Sequence, residues 1–381
     1  MKRLIVCCDG TWDAPDSEHI SNVEKIARTV QTDSTATGGI NQLVYYISGV
    51  GTSTYEADRL LGGAFGFGLF HNVIASYRFL AQNYEPGDEI FIIGFSRGAY
   101  TARSLGGMIA KVGLLTKLAL VEERLPEAVH LYQGTPMPAG ALGESVDEFK
   151  HDHCYPAKIT FLGVFDTVGA LGVPGFERET PRFHSVQLSD QVLCARQALA
   201  IDETRMKFEP TFWEAPDGAP TEDPRVKQVW FEGAHSDVGG GYAETGLSDT
   251  ALLWMAREAH AVGLVFDTAL LATYVMSGSD PIRHDPLNLL YRIDNVLLSV
   301  KGQLPWEHTT DEFSHGLRKL TNPRALSVRV AASAVSHFQE GGYEPDNLAA
   351  FSEQTHGFDG IIEHVVRLPE AGLDISDLGG S

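Results

Sequence analysis

Basic residues are scarce in this chain of 381 residues: 29 Lys and Arg stand against 50 Asp and Glu, for a formal net charge of −21. A surface that negative repels phosphate backbones and anionic headgroups at long range. Nucleic acid is therefore excluded as an expected partner, and a membrane would have to be met through a local apolar patch. Cysteine is scarce as well. Cys7, Cys8, Cys154 and Cys194 form no C-x-x-C pair, and the expectation is buried, reduced thiols. Long apolar runs are missing. The opening "MKRLIVCCDGTWD" turns polar after five or six apolar residues, too few for a signal-peptide core, and no later run approaches the ~18 residues of a spanning helix. These absences predict a cytoplasmic protein with no transmembrane segment.

What is present is ample material for a core. Apolar residues make up 43% of the chain and charged residues 21%, within the globular range. Short apolar bursts at Leu4–Cys8, Leu43–Ile47, Ile90–Phe95, Ile159–Phe165 and Val226–Phe231, with a weaker one at Leu326–Val330, alternate with segments of helical period at Asn22–Thr29, Leu69–Asn83, Ala99–Val112 and Thr250–Val262. That alternation predicts a single α/β domain, a mostly parallel central sheet flanked by helices. The long mixed segments 115–157, 172–225 and 265–325 read as lid or wall insertions. Each of the first five bursts ends in a polar or glycine-rich turn, and in open α/β sheets the ligand site lies beyond the carboxyl ends of the strands.

One of those turns is "IIGFSRGAYTAR". With 39 glycines in the chain, a G-x-S-x-G match means little by itself. Placed between a strand-like burst and a helical segment, it has the order a nucleophile elbow requires. Gly94 and Gly98 clear the bend, Ser96 stands at the strand end, and the N–H of Arg97 faces a developing oxyanion. The plainer reading is a βα turn in which Ser96 only caps the helix.

A serine nucleophile needs a base, and the base needs an orienting acid. Of 14 histidines, His235 in "FEGAHSDVGGGY" follows a strand-like burst, with His315 and His337 as later alternatives. Asp166, closing "KITFLGVFDTVG", competes with Asp237 for the role of acid. The "DGTWD" turn after the first burst offers Gly10 and Thr11 as further oxyanion donors, with Asp9 bracing the loop. "HDHC" at 151–154 lacks a matching ligand pair, so no metal site is expected. "GGAFGFGLFHN" lacks G-x-G-x-x-G order after a strand, so no dinucleotide or other cofactor is expected.

"RLIVCCDGTWD", "GDEIFIIGFSRGAYTAR", "GVFDTVGALG" and "GAHSDVGGGY", in this order over roughly residues 1–262, resemble an uncharacterised α/β-hydrolase domain family (domain of unknown function 2235) that includes phospholipase effectors of type VI secretion. The resemblance implies an α/β-hydrolase-like fold, Ser96 as nucleophile, a lipid or small ester substrate, and export without a conventional signal. It leaves the acid and the histidine open between the Asp166 and His235/Asp237 blocks. Where the family often carries a histidine before a serine, this chain reads Ala331-Ala332-Ser333, which favours His235 as base. The expected activity is ester hydrolysis of the esterase or phospholipase type. The rival readings are a non-catalytic binding module and a magnesium-dependent phosphatase; the latter would need an aspartate where Cys7 stands.

Overall fold

Along β1 (Lys2–Cys8) the side chains alternate between two cores: Leu4, Val6 and Cys8 are buried on one face of a sheet, Ile5 and Cys7 on the other. β3 (Glu89–Phe95) does the same, with Ile90 and Ile92 on the first face and Phe91, Ile93 and Phe95 on the second. A strand apolar on both faces suits only the middle of a covered parallel sheet. The computed structural model describes residues 1–10, 19–49, 64–135, 143–168, 187–275, 281–286, 317–366, 368 and 374–380.

Within these residues the sheet continues through β2 (Asn41–Ile47), β6 (Phe161–Phe165), β7 (Ala195–Ala200), β8 (Val226–Phe231), β9 (Val328–Ala331) and β10 (Ile362–Glu363). A separate antiparallel pair joins β4 (Leu114–Leu115) to β5 (Cys154–Tyr155). The large sheet runs β10-β9-β8-β7-β6-β3-β1-β2, with parallel pairing at each junction. Winding starts at β1, moves out to β2, and then crosses back over β1 to β3 and onward. The reversal opens a crevice between the carboxyl ends of β1 and β3, where ligands of such sheets bind.

Helices α1 (Asn22–Thr29), α2 (Ala64–Asn83), α3 (Arg97–Val112), α4 (Lys117–Val121), α5 (Leu125–Gln133), α6 (Val146–His153), α7 (His235–Gly239), α8 (Gly246–His260) and α9 (Thr268–Val275) complete the frame. Residues of α2 and α3 pack in one core, those of α1, α8 and α9 in the other. Helices Ala332–Gln339 and Asp346–Thr355 close a third core over Trp230 and Val330.

All four expected helices and all six expected strands are present; Asn22–Thr29 and Val226–Phe231 keep their expected bounds, and the others shift at one or both ends. The segment 172–225 departs from its reading as a lid or wall, because it contributes β7 between β6 and β8. "ARQALA" is short on β-branched residues; its burial on both faces by neighbouring strands and helices overrides that weak propensity. The segment 115–157 carries α4 to α6, which pack near α2 and α3. Most of 265–325 lies outside the described residues. Among those described, no helix is long and apolar enough to cross a membrane.

Candidate active site

Ser96 ends β3 and precedes α3, with φ 55 and ψ −121. For a residue with a side chain this is a strained backbone. The turn is held by what surrounds it. The Ser96 N–H donates to the Phe165 carbonyl at 3.0 Å. A side chain at Gly98 would come within 2.1 Å of the Cys8 carbonyl oxygen, and one at Gly94 within 2.5 Å of the Gly98 carbonyl oxygen. The helix start thus presses directly onto the end of β1, and only glycine permits it. Serine is among the best helix caps, yet the Ser96 hydroxyl makes no capping bond to α3. The plain βα-turn reading required that bond.

His235 opens α7 and is buried. Its Nδ1 lies 2.5 Å from Asp166 Oδ2, which pairs it with Asp166 and not with Asp237. Its ring lies between two aromatics: Phe95, the residue before Ser96, at 4.7 Å between centroids, and Phe208, edge-on at 5.0 Å. The backbone N–H donates to Glu203 Oε2 at 3.2 Å. Burial lowers the imidazole pKa below its usual value, and the bond to Asp166 offsets part of that.

Asp166 follows β6 at the carboxyl edge, fully buried and also at positive φ, 38. Its Oδ1 accepts from the Ala200 N–H at 3.0 Å and from Arg318 Nη1 at 2.6 Å; its Oδ2 accepts from Arg318 Nη2 at 2.9 Å as well as facing His235. Burial alone would raise this carboxyl. The charges and hydrogen bonds of Arg318 and His235 overcome it and hold the group well below the usual carboxylate range.

Of the other expected residues, Asp237 and His337 are engaged with other partners, while Arg97 and Gly10 lie beside the Ser96 turn. Asp237 accepts from the Ala234 N–H at the start of α7 and from the N–H of His284, whose Nδ1 lies 2.6 Å from its Oδ1. His337 Nδ1 lies 2.9 Å from Glu232 Oε2, and its ring stacks on Tyr343. Thr11 and His315 lie outside the described residues. The Gly10 N–H donates to Asp9 Oδ1 at 2.7 Å. Asp9 also accepts from the hydroxyls of Ser21 and Tyr46, each at 2.7 Å, so it ties the loop after β1 to α1 and β2. Arg97 is the first residue of α3, where backbone N–H groups lack an intrahelical partner. In the "HDHC" stretch, His151 pairs with exposed Asp152 and the Cys154 thiol donates to the Val112 carbonyl. Among the described residues no cluster of His, Cys, Asp and Glu is arranged to hold a metal ion.

Arg318 was not among the residues the sequence singled out. It lies 152 positions from Asp166 in a stretch with no glycine-rich turn or apolar burst, and nothing short-range marks it.

A wholly parallel main sheet whose winding reverses beside a strained serine defines a protein of the α/β-hydrolase-like class. Residues 2–258 match the family model described as T6SS, phospholipase effector Tle1-like, catalytic domain, and the chain belongs to that family. An uncharacterised protein of Saccharomyces cerevisiae, YEL023C, is 31% identical over 227 residues, covering 54% of this chain and 32% of the relative; the chain thus spans about a third of that relative's length. Among solved structures, the Tle1 effector bound to the VgrG spike of the type 6 secretion system is similar at 15% identity and a TM-score of 0.44, covering 82% of both chains. An uncharacterised protein from Pseudomonas aeruginosa is similar at 18% identity and a TM-score of 0.39, covering 78% of this chain and 53% of that one.

Proposed function

We propose that the protein is a serine hydrolase of carboxylic esters, with phospholipid or another acyl ester as substrate. The observation that carries this reading is Ser96 itself: a serine in a strained positive-φ turn at the switch point, its hydroxyl withheld from the helix it precedes. Membership of a phospholipase effector family supports the ester class.

In this reading the Ser96 oxygen attacks the acyl carbonyl while His235 takes its proton. Asp166 occupies Nδ1 of the imidazole, which leaves Nε2 to receive that proton and to hand it to the leaving alcohol. Water then enters by the reverse path and releases the acid. The depressed His235 pKa keeps the ring neutral, and so able to act as a base, into mildly acidic solution. The Arg97 N–H donates to the oxyanion at the start of α3, where the helix dipole also favours negative charge. Gly10 is the weaker of the proposed donors, since its N–H is already taken by Asp9; Thr11 remains a proposed second donor.

The experiment is labelling with a fluorophosphonate probe, together with turnover of p-nitrophenyl esters and phospholipid vesicles, by the wild-type chain and by Ser96→Ala. Label on Ser96 in the wild type, with loss of both label and turnover in the variant, is the expected result. A folded wild type that takes no label points instead to a binding module.

A further inference from the structure

We propose that Arg318 is a positioning residue of the site, a buried guanidinium that clamps the Asp166 carboxylate so that one lone pair of Oδ2 is left for His235. The proposal rests on the serine-hydrolase reading above.

The geometry is that of a two-pronged fork. Nη1 and Nη2 of Arg318 approach Oδ1 and Oδ2 of Asp166 at 2.6 and 2.9 Å, and both residues are buried. The same two nitrogens are fixed from behind: Nη1 donates to the Ala200 carbonyl at 2.9 Å, and Nη2 to the carbonyl of Phe208. Phe208 is the residue whose ring meets His235 edge-on. One side chain therefore holds the acid and the backbone of an aromatic neighbour of the base. A planar bidentate fork fixes the rotation of a carboxylate in a way that a single point charge cannot.

The clamp also sets the charge balance. The charged groups facing His235 are Asp166, Glu203 and Arg205, and Arg318 stands behind Asp166, bonded to both of its oxygens; Asp237 on its own helix is occupied by His284. Glu203 and Arg205 pair with each other, so Arg318 is the cation that balances Asp166. An imidazolium formed beside an already balanced carboxylate gains less from it than it would from a free one. Arg318 thereby joins burial in keeping the resting His235 neutral, while the fork holds Asp166 aligned for the moment the proton arrives.

The test compares Arg318→Met and Arg318→Lys with the wild type, reading the pH dependence of kcat/KM on a p-nitrophenyl ester and of fluorophosphonate labelling at Ser96, with thermal melts as the check on folding. In Arg318→Met the acid limb moves to higher pH, because a nearby positive charge has been removed from the imidazole, and kcat falls at least ~100-fold even above that limb. In Arg318→Lys the charge stays and the fork is lost: the limb keeps its wild-type position while kcat falls by ~10-fold or more. A folded Met variant with an unmoved limb and wild-type kcat overturns the proposal. Should the Met variant not fold, the Lys variant decides, and wild-type kcat there overturns it equally. If the wild-type Ser96 takes no label, it is the hydrolase reading that has failed, not the clamp.

Discussion

Ser96 and Asp166 end neighbouring parallel strands, both with positive φ, 55 and 38, and the Ser96 N–H is bonded to the carbonyl of Phe165, the residue before Asp166. Neither is glycine, and each such backbone costs on the order of 1–3 kcal/mol. The cost is sustained by what surrounds the pair: the pressed contact of Gly98 on β1, the β3–β6 ladder and the Arg318 fork. In the proposed chemistry the turn at Ser96 sets the serine at the switch point, while the turn at Asp166 aims the carboxylate at His235 and Arg318.

Ser96→Ala tests whether the hydroxyl serves chemistry or stability. Since it makes no capping bond, its loss should leave the melting temperature within a degree or two, whereas removal of a true cap costs about 1 kcal/mol. Activity should fall by ~1000-fold or more. Ser96→Gly, equally inactive, should melt no lower than Ser96→Ala, because glycine accepts this φ without strain. A large drop in melting temperature for Ser96→Ala would mean that the side chain is structural.

Asp166→Asn separates geometry from charge. The amide keeps the shape but presents the wrong partner to His235 Nδ1, and by analogy with other triads kcat should fall about 10⁴-fold. It also strands Arg318, buried with no carboxylate to balance it. Loss of one partner of a buried pair costs about 3–5 kcal/mol. Denaturant titration should show a destabilisation of that order. Asp237→Asn should instead leave kcat within a few-fold of wild type, since its carboxylate is bonded to His284 and the start of α7.

The contrast between Asp166 and Arg318 shows what sequence carries and what it does not. The place of Asp166 at the carboxyl edge was legible because the residue closes an apolar burst, and strand ends in a parallel sheet converge on one edge. The place of His235 beyond β8 followed from the same rule. The choice of Asp166 over Asp237 was not legible: both sit in a turn at the carboxyl edge, and what separates them is which side chain each one meets in the fold, His235 for Asp166 and His284 with the start of α7 for Asp237. β7 was missed because alanines and polar residues give no strand signal until neighbours bury them. Arg318 was missed because a buried arginine reads like a surface one until its carboxylate is known.

Gly239→Ala probes the site from behind. A side chain there would come within 1.9 Å of the Phe95 ring, the ring lying against His235. The ring must move, and the imidazole loses the wall that orients it. A misplacement of about 1 Å can cost ~100-fold in rate, so kcat should fall by one to two orders of magnitude with label still forming slowly on Ser96. Overpacking of this kind costs about 1–3 kcal/mol, measurable by thermal melting. Unchanged kinetics would place Phe95 outside the working site.

Asp9 gives the chain a stability that depends on pH in an unusual direction. Its carboxyl is buried just past the end of β1, and burial pushes it up to about 6 in spite of three hydrogen bonds to it. In the unfolded chain it titrates near ~3.9. Between those two values the folded state holds a proton that the unfolded state has released. Its contribution to stability is therefore complete below pH ~4 and is lost as the pH rises through about 6, amounting to about 3 kcal/mol. Asp9→Asn does not titrate, and its amide can still serve Gly10 through its oxygen while the Ser21 and Tyr46 hydroxyls turn to accept. Denaturant curves at pH 4 and pH 7 isolate the effect: the variant should gain on the wild type by a few kcal/mol as the pH rises. A difference that stays constant across that range would mean that Asp9 is ionised in the fold throughout, with the Gly10 N–H held by full negative charge at every pH tested.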